Sequence, residues 1–114
     1  MHEMSIVQGI WSTVKDTLDE GDYATLISVE ASIGEYLAVV EESIQMCWEA
    51  TVMEDSRAET AKLNITTESS QVKCKSCDNT WLFKEHWFIC PSCGVSNSTI
   101  ITGKTIHVTS IEVE

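Results

Sequence analysis

From Met4 onward the apolar positions Met4, Val7, Trp11, Val14 and Leu18 recur at steps of three and four, the spacing of one face of an α-helix. Ile6 and Ile10 widen the stripe, and Asp19-Glu20-Gly21-Asp22 closes it, Gly being the usual residue just past a helix. The period then drops to two. Ile27, Val29, Ala31 and Ile33 alternate with Ser28, Glu30 and Ser32, as in a strand with one buried face, and Gly34 ends it. From Leu37 the longer step returns through Val40, Ile44, Cys47, Trp48 and Thr51, which predicts a second helix from Leu37 to Met53. Cys47 falls on its apolar side and reads as a small buried hydrophobe. Glu41, Glu42, Glu49 and Glu54 fall mainly off that side and read as a solvated face.

The segment from Glu54 to Thr60 is polar and predicts a mobile connection. Beyond it Leu63, Ile65 and Thr67 alternate with Lys62, Asn64 and Thr66 as a second strand. Near the end, Ile106-His107-Val108 and Ile111-Glu112-Val113 form a last strand or pair of strands. The apolar parity flips between them, which predicts a bulge near Thr109-Ser110. His107 alternates with core positions and is expected at the solvent face or a sheet edge. The apolar residues of this last segment match those near Ile33 and Leu63, so it should complete the sheet of the first half. Everything between would then be a lobe inserted between two neighbouring strands of an α+β fold.

That lobe carries the strongest chemical signal. Cys74-Lys75-Ser76-Cys77 and Cys90-Pro91-Ser92-Cys93-Gly94 stand twelve residues apart, and two C-x-x-C knuckles at such a separation can hold Zn(II) tetrahedrally through four thiolates. Two disulfides or a redox pair are the alternatives. A redox C-x-x-C is expected beside a βαβ pattern and need not occur twice. Gly94 suits the turn leaving a knuckle because it adopts positive φ without Cβ strain. Trp81, Phe83, Trp87 and Phe88 supply the apolar bulk for a mini-core around the metal. Four cysteine ligands close the zinc shell and leave no position for an activated water, which argues against hydrolytic chemistry there. Gly103-Lys104-Thr105 resembles the end of a phosphate loop, but Ser98 stands where the first glycine belongs and a strand follows.

A chain of 114 residues allows one core and one metal-stapled lobe. Its 18 acidic residues against 7 basic ones give a formal charge of −11, which repels phosphate backbones and excludes free nucleic acid as a natural partner. Lys62, Lys73, Lys75 and Lys84 gather near the lobe and read as solubilising, or as docking an acidic partner. No apolar run approaches the roughly 20 residues of a membrane span, and the amino terminus lacks a signal-peptide pattern. A cytoplasmic protein is therefore expected, with thiols kept reduced. The sequons Asn64-Ile65-Thr66 and Asn97-Ser98-Thr99 then carry no meaning.

Met1-His2-Glu3 offers a second metal chemistry. A free α-amine, the deprotonated amide of His2 and Nδ1 of its ring can bind one ion in adjoining chelate rings. Such planar nitrogen ligation, completed by the amide of Glu3 or another imidazole, selects Ni(II) or Cu(II) over Mg(II) or Ca(II).

Met-His-Glu-Met-Ser leading into a helix, Ile33-Gly34-Glu35 between strand and helix, the Cys-x-x-Cys and Cys-Pro-x-Cys-Gly pair, and the closing Val108-x-x-Ile111-Glu112-Val113-Glu114 together resemble the HypA/HybF family over essentially the whole chain. These are nickel metallochaperones for nickel–iron hydrogenase maturation and, in some organisms, for urease. The resemblance implies a non-enzyme with a three-stranded antiparallel sheet and two helices, plus an inserted zinc-ribbon lobe. On this sequence it divides the chain into a nickel-binding α/β domain, residues 1–70 and 99–114, and a zinc-ribbon domain, 71–98. It assigns Met1, His2 and Glu3 to nickel as transferred cargo and Cys74, Cys77, Cys90 and Cys93 to structural zinc. It implies a HypB-type GTPase and the hydrogenase large subunit as partners, and admits a homodimer. The chain departs from the family pattern at Tyr36-Leu37 and Glu41, around the start of the second helix. His86, four residues before Cys90, is a candidate further nickel ligand, because imidazole suits nickel and a lobe folded toward the amino terminus would bring it close. The competing reading is an acidic zinc-ribbon adaptor with no nickel role.

Overall fold

The first apolar stripe becomes helix α1 (Glu3–Gly21), which buries Ile6, Val7, Ile10, Val14 and Leu18. A computed structural model describes residues 3–114 of the chain. The alternating segment is strand β1 (Leu26–Gly34), with Val29, Ala31 and Ile33 buried as the alternation predicts; at its start the strand departs from strict alternation, and Leu26 is buried while Ile27 is exposed. Helix α2 (Glu41–Val52) sets Ile44, Trp48 and Val52 into the core and packs along α1. There the Trp11 and Trp48 rings meet edge to face at 6.1 Å, and the Trp48 indole N–H donates to Ala61 O at 3.0 Å.

Helix α2 starts later than its apolar spacing predicts. Glu35–Leu37 form a single 3₁₀ turn, Ala38 sits in the left-handed region at φ 52°, and Val40 is extended as the residue capping α2. The cause is a set of partners remote in sequence. The Tyr36 N–H donates to Ser70 Oγ at 2.8 Å and also lies 3.3 Å from Gly103 O, while Ser70 Oγ, fully buried, donates to Gly103 O at 2.7 Å. These bonds pin residues 35–37 as a separate turn, and the left-handed Ala38 and extended Val40 break the backbone before α2 begins.

The polar segment after α2 is held by contacts rather than open. The Arg57 guanidinium donates to Asp55 at 3.0 and 2.7 Å and to Asp19 at 2.8 Å. Arg57 O accepts from Leu26 N–H at 2.7 Å, and Ala58 is fully buried. The hydrogen bonds from Arg57, outweighing partial burial, hold the Asp55 carboxyl below its ordinary range.

Strands β2 (Lys62–Glu68), β3 (Gln71–Cys74) and β4 (Thr80–Leu82) follow. Then come the short helix α3 (Phe83–His86) and strands β5 (Ser98–Thr102) and β6 (Ile106–Val113). Two three-stranded sheets result, ordered β2-β1-β6 and β4-β3-β5. In the first, Thr25 and Glu114 exchange backbone hydrogen bonds at one end, and Gly34 N–H meets Thr105 O at the other, so β1 and β6 run antiparallel. Side chains of β2 reach across to β1, Asn64 Nδ2 donating to Glu30 Oε1 and Thr66 Oγ1 to Ala31 O. The segments before and after the inserted lobe were expected to be neighbours, but β1 stands between β2 and β6. The reason is that β1 is the most buried of the three, with Leu26, Val29, Ala31 and Ile33 inside, and so takes the centre. The apolar parity flip of β6 is visible as two successive exposed residues, Thr109 and Ser110, in an otherwise alternating strand.

Two compact units emerge. Unit 1 comprises Met1–Ser32, Val39–Thr66 and Ile106–Glu114; unit 2 comprises Ile33–Ala38 and Thr67–Thr105. In unit 1 the core is the α1, α2 and β1 apolar set, joined by Ala58, Ala61 and Leu63. In unit 2 it is Val72, Cys74, Trp81, Cys90 and Ile100, with Phe83 and Phe88 packed against it. Strand β3 is the spine of unit 2, antiparallel to β4 with Val72 opposite Trp81 and to β5 with Val72 opposite Ile100. Tyr36, Phe83 and Phe88 form an edge-to-face cluster with ring centroids 5.1–6.0 Å apart. No helix among the described residues is long and apolar enough to cross a membrane.

Candidate metal centre

The four cysteines of the two C-x-x-C motifs converge, with their sulfurs all within 4.8 Å of one another. Each motif folds by the same local hydrogen bonds. In the first, Cys74 N–H donates to Asn79 O at 2.9 Å and Asp78 N–H to Cys74 O at 3.0 Å. In the second, Cys90 N–H donates to Val95 O at 3.1 Å and Gly94 N–H to Cys90 O at 2.9 Å. The residue after each second cysteine, Asp78 or Gly94, takes positive φ, 63° and 74° respectively, which turns the chain back and leaves both sulfurs of a motif on one side. Sequence reasoning singled out Gly94 and missed Asp78. Superposing Cys-x-x-Cys-Asp-Asn on Cys-x-x-Cys-Gly-Val would have found it, since Asp and Asn are the residues besides Gly that visit the left-handed region.

The sulfurs of Cys74 and Cys93 lie 3.7 Å apart, and those of Cys77 and Cys90 3.6 Å apart. Four thiolates each about 2.3 Å from a zinc ion define a tetrahedron with edges of about 3.8 Å, so the donor set fits that ion in number, type and spacing. The separation is far beyond the roughly 2.05 Å of a disulfide, and all four are free thiols. Cys74 and Cys90 are buried while Cys77 and Cys93 reach solvent, a shell with one side packed on the Val72–Trp81 core and one side exposed.

Fixed backbone dipoles tune these thiols unequally. The Cys77 N–H is the main influence on Cys74 and, against burial, holds it below the ordinary thiol range. For Cys90, burial opposes ionisation, but the N–H groups of Cys93 and Ser92 and the neighbouring thiols outweigh it and bring Cys90 down to about 6. At Cys77 the Asn79 N–H favours the thiolate, yet the other three thiols and burial outweigh it and push Cys77 up to about 12. Cys90 is therefore the readiest thiolate of the set, and a cation must draw protons off its partners, Cys77 above all, so binding here releases protons. Asn79 Nδ2, 3.9 Å from Cys90 Sγ, and Cys93 N–H, 3.4 Å from it, are donors to sulfur that support this shell from outside.

The other sequence candidates fall elsewhere. Met1 and His2 lie outside the described residues, and Glu3 opens the first turn of α1. His86 closes α3 and is exposed, in a surface cleft shared with Trp81, Leu82, Glu85 and Pro91. Cys47 is half-buried on α2 and takes no part in the four-thiol cluster. His107 is exposed on the edge strand β6. Of the four aromatics expected in the mini-core, Trp81, Phe83 and Phe88 pack there. Trp87 is 67% exposed because it takes φ 54° at the end of α3, and it is its backbone O, not its ring, that contributes, accepting from the Trp81 indole N–H at 2.8 Å.

The family model described as hydrogenase/urease nickel incorporation, metallochaperone, hypA matches residues 1–113. A hydrogenase maturation factor HypA from Dehalococcoides mccartyi is 31% identical over 114 residues, covering 100% of this chain and 95% of that protein. One from Aquifex aeolicus is 32% identical, covering 100% and 98%. In fold the chain is similar to the solution structure of the Ni metallochaperone HypA from Helicobacter pylori, with a TM-score of 0.75 at 23% identity over 99% of this chain and 97% of that one. The chain belongs to the HypA family of hydrogenase maturation nickel metallochaperones, which are not enzymes.

Proposed function

We propose that this chain binds Ni(II) at its free amino terminus and, with a HypB-type GTPase, delivers it to the large subunit of a nickel–iron hydrogenase during maturation. The Met1 amine, the His2 amide and ring, and the Glu3 amide form the carrying site. Cys74, Cys77, Cys90 and Cys93 hold zinc and keep it. The observation that carries this division of labour is the four-thiol cluster itself: a closed, soft donor shell suits a resident ion, and cargo that must leave needs fewer ligands and an open side. Nickel bound through a deprotonated amide is released as pH falls, because each ligand must take its proton back. His86 is the candidate for completing the nickel plane.

Calorimetric titration of Ni(II) into the zinc-loaded chain tests the assignment. One tight site is expected in the chain with a free Met1 amine, and its loss on acetylation of Met1 or in His2→Ala, with the helical circular dichroism unchanged. Equal affinity in the acetylated chain would overturn the ligand set.

A further inference from the structure

The acidic residues of the chain are unevenly spread. Unit 1 holds fourteen Asp and Glu against three Lys and Arg, while unit 2 holds four of each, so the whole net charge of −11 belongs to unit 1. Within unit 1, α2 buries Ile44, Trp48 and Val52 and turns outward a stripe of Glu42, Met46, Glu49 and Met53, all exposed. Their spacing of four, three and four residues places them on one helical face. Met46 and Met53 are each 71% exposed, the highest of any large hydrophobic side chain among the described residues. Glu41 and Glu54 stand at its two ends, also exposed.

A solvated helix face needs only the carboxylates, and two nearly bare thioethers between them are unexplained by solubility. Unbranched, polarisable Met side chains adapt to a partner's shape, which is why they recur at binding surfaces. We infer that the Glu42–Met46–Glu49–Met53 face of α2 is a docking ridge for a cationic amphipathic helix of a partner protein. Its apolar residues would cover Met46 and Met53, and its Lys or Arg side chains would meet Glu42 and Glu49. The sign of the charge selects this occupant. A second copy of the chain would bring the same excess of carboxylates and be repelled, whereas a basic segment is drawn in over the Debye length and then anchored by apolar contact. From Glu42 to Met53 the ridge is about 16 Å long at 1.5 Å per residue, which matches three turns of a docked helix. The inference is independent of where nickel binds.

The test uses the full zinc-loaded chain and a labelled 18-residue Leu/Lys amphipathic peptide, read by fluorescence anisotropy, with a Leu/Glu peptide of the same pattern as control. Met46→Gln with Met53→Gln removes the anchors at constant charge and is expected to weaken binding about tenfold, as is Glu42→Gln with Glu49→Gln, which also flattens the salt dependence. Asp16→Asn with Glu20→Asn makes the same charge change on exposed α1 positions and is expected to leave binding within about twofold of the parent. In the unaltered chain, amide NMR shifts on peptide addition should centre on residues 41–54. The proposal is overturned if the methionine pair binds as the parent does, if the α1 pair weakens binding as much as the α2 glutamate pair, or if the shifts map elsewhere. Sedimentation showing a dimer that the methionine substitutions dissolve would overturn it in favour of a second copy.

Discussion

Gly94 and Gly103 both hold positive φ, 74° and 67°, yet a side chain would meet different surroundings at each. A Cβ on Gly94 would meet nothing within 4 Å, whereas one on Gly103 would lie 2.6 Å from Ser69 O and 2.7 Å from Ser70 Cα. Gly103 O is also the acceptor for Ser70 Oγ, so the close approach cannot relax without breaking that bond. Gly94→Ala should therefore cost only the left-handed strain, about 1 kcal/mol. Gly103→Ala should cost about 3 kcal/mol or more, from strain plus a backbone clash. Urea unfolding of the two variants checks the order, and equal losses would mean that Ser69–Ser70 gives way. Sequence drew attention to Gly94 because it follows a cysteine motif. Gly103 looked like a fragment of a phosphate loop, since its reason for being glycine is a neighbour 33 residues earlier that no local pattern reveals. The four cysteines were legible because metal ligation imposes a spacing on the chain itself. The donors Asn79 and Cys93 N–H that support Cys90 were not, because contacts to sulfur follow from how the knuckles fold.

Long periodic elements were equally legible. Helix α1 and strand β1 follow from apolar positions that recur for several turns or pleats, and their bounds shift only at the ends. The start of α2 and the second sheet were not. Leu37 and Val40 satisfy the helical period, but hydrogen bonds from Tyr36 to Ser70 and Gly103 override it, a case of long-range contacts outweighing a local preference. Strands β3, β4 and β5 are three to five residues long, too short to display a period, and their buried positions include Cys74. The disputed stretch yields a prediction whose sign separates the two readings. At φ 52°, Ala38 carries left-handed strain that glycine lacks, so Ala38→Gly should stabilise the chain by about 0.5–1 kcal/mol. Were residues 37–40 helical, as the spacing predicts, the same change would destabilise it by about 1 kcal/mol. A shift of the urea midpoint to lower concentration would count against the observed turn.

The two units have different reasons to stay folded. Among the described residues, fourteen of the buried hydrophobic positions lie in unit 1 and six in unit 2, and two of those six are Cys74 and Cys90, ligands of the candidate metal site. Removing the ion from unit 2 would leave a small apolar cluster around Val72, Trp81 and Ile100, with four thiols packed 3.6–3.7 Å from one another in pairs and no cation to offset them. Structural zinc contributes about 10–16 kcal/mol of apparent binding energy in small domains, more than so small a core can replace. Unit 1 has no such dependence, because none of its buried core residues belongs to the four-thiol cluster. A thiol-competing chelator should therefore abolish amide protection across β3, β4 and β5 while α1, β1 and α2 keep theirs, as read by hydrogen exchange. Protons should be taken up as the metal leaves, since Cys77, held near 12, recovers its proton at neutral pH. Cys77→Ser should give the same exchange pattern without chelator, and restoring zinc should rescue the parent but not the variant. Loss of protection in α1 and α2 together with β3 would show instead that the chain unfolds as one cooperative body and that the metal stabilises all of it.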